Sequence, residues 1–159
     1  MNIRILCVGK LKESYFEAAE AEFLKRLRRF GTAEIVEVAD EKAPERLSAA
    51  DMEHVKDREG ERLLLKISPD DRVIALVIGG KRYTSEAFSA RLATLRDGGT
   101  RTVDFVIGGS LGLSRAVLQR ADETLSLSDM TLPHRIARLV LLEQVYRAFK
   151  IDAGEPYHK

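Results

Sequence analysis

Three segments of the sequence join glycines or hydroxyl side chains to the end of an apolar run, and there ligand chemistry is expected. They are Ala75–Lys81 (ALVIGGK), Ile107–Ser114 (IGGSLGLS) and Leu125–Arg135 (LSLSDMTLPHR). Glycines at such a junction let a ligand approach the backbone and leave N–H groups free to bond it. GGSLG lacks the Lys-Ser/Thr ending of a phosphate-cradling loop. It also departs from G-x-G-x-x-G, and it follows a late strand, where a dinucleotide fingerprint belongs after the first. Nucleoside triphosphate and nicotinamide chemistry are therefore disfavoured. The three histidines, His54, His134 and His158, share no metal-ligand spacing, and no carboxylate or cysteine cluster accompanies them, so no metal is expected. His54 lies in a charged stretch and reads as surface. His134 follows Pro133 at a helix start and suits local packing as well as a site. The serines 110, 114, 126 and 128 have no His/Asp partners in a recognisable order, which speaks against a serine nucleophile. The single cysteine, Cys7, excludes an internal disulfide.

These loops need a scaffold, and the apolar periodicity supplies one. Ile3–Val8 reads as a buried strand, and Phe16, Ala19, Phe23, Leu27 and Phe30 mark one face of a helix ending before Gly31. Glu34–Val38 alternates like a strand with one wet side. A charged helical stretch is expected from Pro44 to about Ile67, interrupted at Gly60 and more exposed than the other helices. Arg72–Ile78 is apolar nearly throughout, as a central parallel strand should be, with Gly79 and Gly80 ending it. A helix over Ser85–Arg96, a strand over Thr102–Ile107, a short helix from Ser114 and a brief strand over Thr124–Leu127 follow. Pro133 opens the last helix, which runs to about Lys150 and is apolar on more than one side. Five strand–helix alternations predict an α/β fold with a mainly parallel sheet flanked by helices, and residues 1–159 read as one domain. In such sheets ligands bind beyond the carboxyl ends of the strands, where the three loops fall.

Composition narrows the setting. At 45% hydrophobic and 32% charged residues, the chain is that of a globular protein with a sizeable core. Its longest apolar run, Val73–Gly80, is far short of a membrane span, no signal segment opens the chain, and a cytoplasmic location is expected. The net charge of +1 conceals an uneven distribution. Residues 34–71 carry twelve Asp/Glu against six Lys/Arg, whereas residues 1–33 carry seven Lys/Arg against four acids. The basic flanks suit a polyanion.

Taken with LSLSDMTLPHRIARLVLLEQVYRAFKI and the closing PYHK, the IGGSLGLS loop resembles the RlmH type of SPOUT methyltransferase over the whole chain. Proteins of this type methylate pseudouridine in large-subunit ribosomal RNA. The resemblance implies an α/β domain with a C-terminal deep trefoil knot, a topology that connection rules would otherwise reject. It implies S-adenosylmethionine as cofactor, held by Leu76, Gly108, Leu127, Ser128, Asp129, Met130, Thr131 and Leu132. It implies a homodimer paired through the knot, and N3 of a pseudouridine of the position-1915 type in 23S rRNA of the assembled ribosome as acceptor. Rivals are a SPOUT enzyme for another ribosomal or transfer RNA nucleotide, and a ribosome-binding protein that has lost catalysis.

The acceptor sets the chemical demand: the imide N3 is a poor nucleophile until its proton leaves. Tyr157 and His158 are the candidates for acceptor binding or proton handling, within one subunit or across the dimer. Arg135 and Arg138 are candidates for phosphate or base contacts, and Lys159 supplies a terminal cation. No position certifies a general base. Arg4, Lys10, Lys12, Lys25, Arg26, Arg28 and Arg29 are the expected phosphate contacts.

Overall fold

The computed structural model describes all 159 residues as five strands and five helices in strict alternation. The elements are β1 (Asn2–Val8), α1 (Ser14–Leu27), β2 (Ala33–Val38), α2 (Ala49–Leu64) and β3 (Arg72–Lys81). They continue with α3 (Ser85–Asp97), β4 (Thr102–Ile107), α4 (Arg115–Arg120), β5 (Glu123–Leu125) and α5 (His134–Asp152). All four strand pairings are parallel, in the order β2-β1-β4-β3-β5. This is the α/β sheet that the alternation predicts, and both of its faces are covered.

The two-residue period of a strand divides the apolar residues between two cores. Ile3, Ile5, Cys7, Val103, Phe105 and Ile107 meet α1, α3 and α5 on one face. Leu6, Val8, Val73, Ala75 and Val106 meet Leu63 of α2 and Val117 of α4 on the other. The final helix earns its broad apolar surface here: Leu141, Leu142 and Val145 have no exposed surface.

Several boundaries differ from the sequence reading; β5, for one, spans Glu123–Leu125 rather than Thr124–Leu127. Helix α2 begins after Ser48 rather than at Pro44, because Ser48 and Asp51 form a reciprocal capping box. Gly60 does not interrupt it. A Cβ at Gly60 would lie 2.2 Å from Ser114 Oγ, so glycine allows α2 to press on the start of α4. With Val55, Glu59, Gly60 and Leu63 buried, α2 hides more positions than α1, which buries Glu20 and Leu27. Strand β3 runs through Gly79 and Gly80 to Lys81, with a register irregularity against β5 between Leu76 and Lys81. A Cβ at Gly80 would stand 2.7 Å from the backbone of Leu125, so glycine keeps this close passage open. Pro133 is the residue before α5 rather than part of its first turn.

Candidate active site

The carboxyl ends of β3, β4 and β5 and the first turn of α5 enclose a cavity of about 660 Å³. β3 contributes residues 76–78, the segment after β4 contributes residues 108–113, and the segment after β5 contributes Leu127, Ser128 and residues 130–132. Pro133 and, from α5, His134 and Ala137 close it.

Each wall has a local cause. Gly108 is packed so closely that a Cβ would lie 2.6 Å from the Gly112 carbonyl carbon, and Gly112 holds φ +91°. The Gly112 N–H donates to the Gly109 carbonyl at 3.1 Å, so the segment folds back on itself before Ser114 caps α4. Glycine is required at both positions, by contact at the first and by backbone angle at the second. Behind this wall sits Glu59, 5% exposed, whose Oε1 accepts from the Glu41 N–H at 3.1 Å. The segment after β5 is tied by its own hydroxyls: Ser126 donates to the Ser128 carbonyl, and Ser128 Oγ accepts from the Met130 N–H, both at 3.0 Å.

Seven of the eight residues expected to hold a ligand converge on this cavity: Leu76, Gly108, Leu127, Ser128, Met130, Thr131 and Leu132. Asp129 stands outside the lining; its carboxylate is 73% exposed and accepts from Arg82 at 2.5 Å. The lining is mainly apolar, and most of its polar groups belong to the backbone. It contains one ionisable side chain, His134. Burial, and then Arg135 and Arg138, push this imidazole below its ordinary pKa, while Asp40 and Glu13 act in the opposite direction. Sequence reasoning left His134 open because its spacing to other histidines carries no signal. Its position directly after Thr-Leu-Pro was the clue available. No group of three or more His, Cys, Asp or Glu side chains converges as metal ligands would.

Residues Tyr157 and His158 lie elsewhere on their own chain. The Tyr157 hydroxyl donates to Glu143 at 3.1 Å, its ring meets Tyr146 edge-on at 4.9 Å, and Arg147 lies over it at 4.7 Å. Burial and the Glu143 carboxylate raise the phenol above its usual pKa. His158 Nδ1 faces Arg147 Nη1 at 3.3 Å, and Nε2 faces Glu86 Oε1 at 2.7 Å. Arginine only donates, so Nδ1 accepts and Nε2 carries the proton. Glu143 is nine residues into α5, about 13 Å along the axis from His134 at 1.5 Å per residue. Lys159 is exposed and has no ion-pair partner.

The basic residues divide sharply. Arg138 is buried, and its Nη2 donates to Glu20 and Glu37, each at 2.9 Å, so it is unavailable to a phosphate. Arg4 is likewise committed, to Asp71 at 3.1 Å, Asp104 and the Lys66 carbonyl. Both assignments as nucleic-acid contacts are corrected for one reason: a buried carboxylate needs a cation nearby more than the surface needs one. Arg135 pairs with Glu13, Arg26 with Glu22, and Arg29 with Glu155. Lys10, Lys12, Lys25 and Arg28 stay exposed without an ion-pair partner.

A fully parallel α/β sheet with a glycine-walled cavity at its carboxyl ends defines a ligand-binding α/β protein. The family model described as "Predicted SPOUT methyltransferase" matches residues 1–158, and the chain belongs to the SPOUT methyltransferase family. It is similar to the ribosomal RNA large subunit methyltransferase H of Bacillus pumilus (strain SAFR-032), with 59% identity over 100% of both chains. It is 58% identical, again over 100% of both, to the protein of that name from Lactiplantibacillus plantarum. Among solved structures, a probable methylase family protein from Haemophilus influenzae Rd KW20 shares the fold. Its TM-score is 0.55 at 14% identity, over 99% of this chain and 70% of that one.

Proposed function

We propose that this protein transfers a methyl group from S-adenosylmethionine to N3 of a pseudouridine, of the position-1915 type, in 23S rRNA of the assembled ribosome. The observation that carries the reading is the cavity itself, in a chain 59% identical to a ribosomal RNA large subunit methyltransferase along its full length. At about 660 Å³ it lies within the roughly 300–1,000 Å³ of small-molecule sites. Its chemistry suits a nucleoside-bearing sulfonium. Leu76, Leu127 and Leu132 offer faces for an adenine, and the backbone of residues 108–113 and 127–132 offers donors and acceptors to its edge. No carboxylate in the lining would trap the sulfonium in an unproductive pair. When bound, the cofactor supplies an electrophilic methyl group on a positively charged sulfur.

The chain's own residues have three tasks. The glycine wall and the segment after β5 would hold the donor, and aligning its methyl group with the acceptor nitrogen would supply much of the acceleration. The apolar lining excludes water, which strengthens the electrostatic stabilisation of the deprotonated imide. Lys10, Lys12, Lys25 and Arg28 provide the salt-sensitive phosphate contacts.

The working unit is a homodimer in this reading, paired through a knotted C-terminal segment. Two exposed apolar side chains line the cavity: Ile78 at 52% and Met130 at 76%. Such a patch beside a ligand site is what a subunit partner covers. Tyr157 and His158 then act on the acceptor from the partner subunit, since in their own chain they lie along α5 away from the cavity.

The test is transfer of a labelled methyl group to whole ribosomes, free large subunits and naked RNA, with the modified nucleotide mapped by mass spectrometry. Methylation of a 23S pseudouridine in whole ribosomes is the expected result. Transfer to a different nucleotide, or cofactor binding without any transfer, overturns it.

A further inference from the structure

One ionisable group lines the cavity, and it is a histidine with nothing in the protein to hold it. His134 is half-buried on the first turn of α5. It appears in no hydrogen bond or ion pair, whereas His158 is engaged at both ring nitrogens. A buried imidazole is usually tied down through one nitrogen by a carbonyl or a carboxylate. Here the nearest charges act on it without bonding it. Arg135 and Arg138, from the same helix, disfavour its protonation, while Asp40 after β2 and Glu13 before α1 favour it. Arg138 is consumed by Glu20 and Glu37, and Arg135 by Glu13, so neither cation reaches into the cavity in its place.

Resting on the methyl-transfer reading above, we propose that His134 is the proton acceptor of the reaction, contacting the imide of the acceptor base. The N3–H bond breaks and its proton passes to the free imidazole nitrogen. The nitrogen's lone pair forms the N3–CH₃ bond while the CH₃–S bond breaks, its electron pair leaving on sulfur as a neutral thioether. The imidazolium then releases the proton to water, so one proton leaves per methyl transferred. An imidazole whose pKa lies below its ordinary value is neutral at pH 7 and ready to accept. It lines a cavity whose other side chains are apolar or hydroxyl-bearing, with no second ionisable group to act as base.

The experiment compares wild type with His134→Gln, His134→Ala and the surface control His54→Ala. S-adenosylmethionine affinity is read by calorimetry and methyl transfer by single turnover on ribosomes. Wild-type transfer without a defect in His134→Gln would sink the assignment while sparing the function; absence of wild-type transfer would sink the function first. The expected result is a loss of about 100-fold or more in the transfer rate of both His134 variants. Cofactor affinity should stay within about twofold, and His54→Ala should be unaffected. Affinity lost together with rate would make His134 a cofactor ligand and overturn the proposal. A readout independent of turnover is the imidazole titration in histidine-labelled protein by NMR. His134 should titrate below the ordinary histidine value, and the wild-type rate should rise with pH through that midpoint and level off. A rate that follows pH identically in His134→Gln overturns the proposal.

Discussion

The cavity and the two buried ion clusters treat charge in opposite ways. At the carboxyl ends of the strands, a space of about 660 Å³ is lined mainly by glycine backbone and apolar side chains, with three hydroxyls and a single titratable group. Beside β1, by contrast, two buried arginine–carboxylate clusters are matched within the protein. Arg138 bridges Glu20 and Glu37, and Arg4 bridges Asp71 and Asp104, whose carboxyl has no exposed surface. The difference separates structure from function. A buried charge that is matched within the protein has no valence left for a ligand, while an unmatched polar group in an apolar cavity is free to meet one.

The sharpest way to break this contrast is to remove the cation from the first cluster. Arg138→Met leaves Glu20 and Glu37 without their partner and should cost about 3–5 kcal/mol of stability. Denaturant titration measures this, and S-adenosylmethionine affinity of the folded fraction should hardly change. A stable variant that fails to bind cofactor would move Arg138 into the site and erase the distinction. Gly108→Ala probes the opposite region. A Cβ 2.6 Å from the Gly112 backbone cannot be relieved by a rotamer change, so the wall must shift. Stability should fall by about 1–3 kcal/mol. Cofactor affinity should fall by an order of magnitude or more, as calorimetry would register.

A pH-dependent effect concerns Asp104. Burial, and then the neighbouring Asp71, raise its carboxyl from an ordinary 3.8 to about 7 against the opposing pull of Arg4. The folded protein therefore holds a proton here that the unfolded chain releases. This contribution is fully present below pH ~4 and is lost as pH rises through about 7. Thermal unfolding across pH 4–8 should show the decline, and Asp104→Asn should flatten it. A variant with the wild-type slope would remove Asp104 from the cluster's titration.

Much of the scaffold was legible in the residues. Thr102–Ile107 is the observed strand β4 to the residue, since a run rich in β-branched and apolar residues between a glycine pair on either side has few alternatives. The loops were legible for the same reason. Glycine after a buried strand has little structural use unless something must come close, and at Gly80 and Gly108 another stretch of backbone does. What misled was local chemistry with a non-local answer. Pro44 looked like a helix start, but the capping box at Ser48 and Asp51 binds more of the free N–H groups. Gly60 looked like a break, but Ser114, fifty-four residues away, needs its empty space. Arg4 and Arg138 looked like surface cations because no sequence spacing reveals which carboxylates fold against them.

The sequence by itself determined the α/β class, the position of the ligand loops at the strand ends and the family to which the chain belongs. Those properties follow from periodicity, glycine placement and extended motifs, all carried by neighbours along the chain. Only the tertiary structure decided which charged groups remain available. Desolvation depends on what lies on every side of a group, and those neighbours are distant in sequence. Thus Arg138 became part of the core, Asp129 turned outward to Arg82, and His134 was left alone in the cavity.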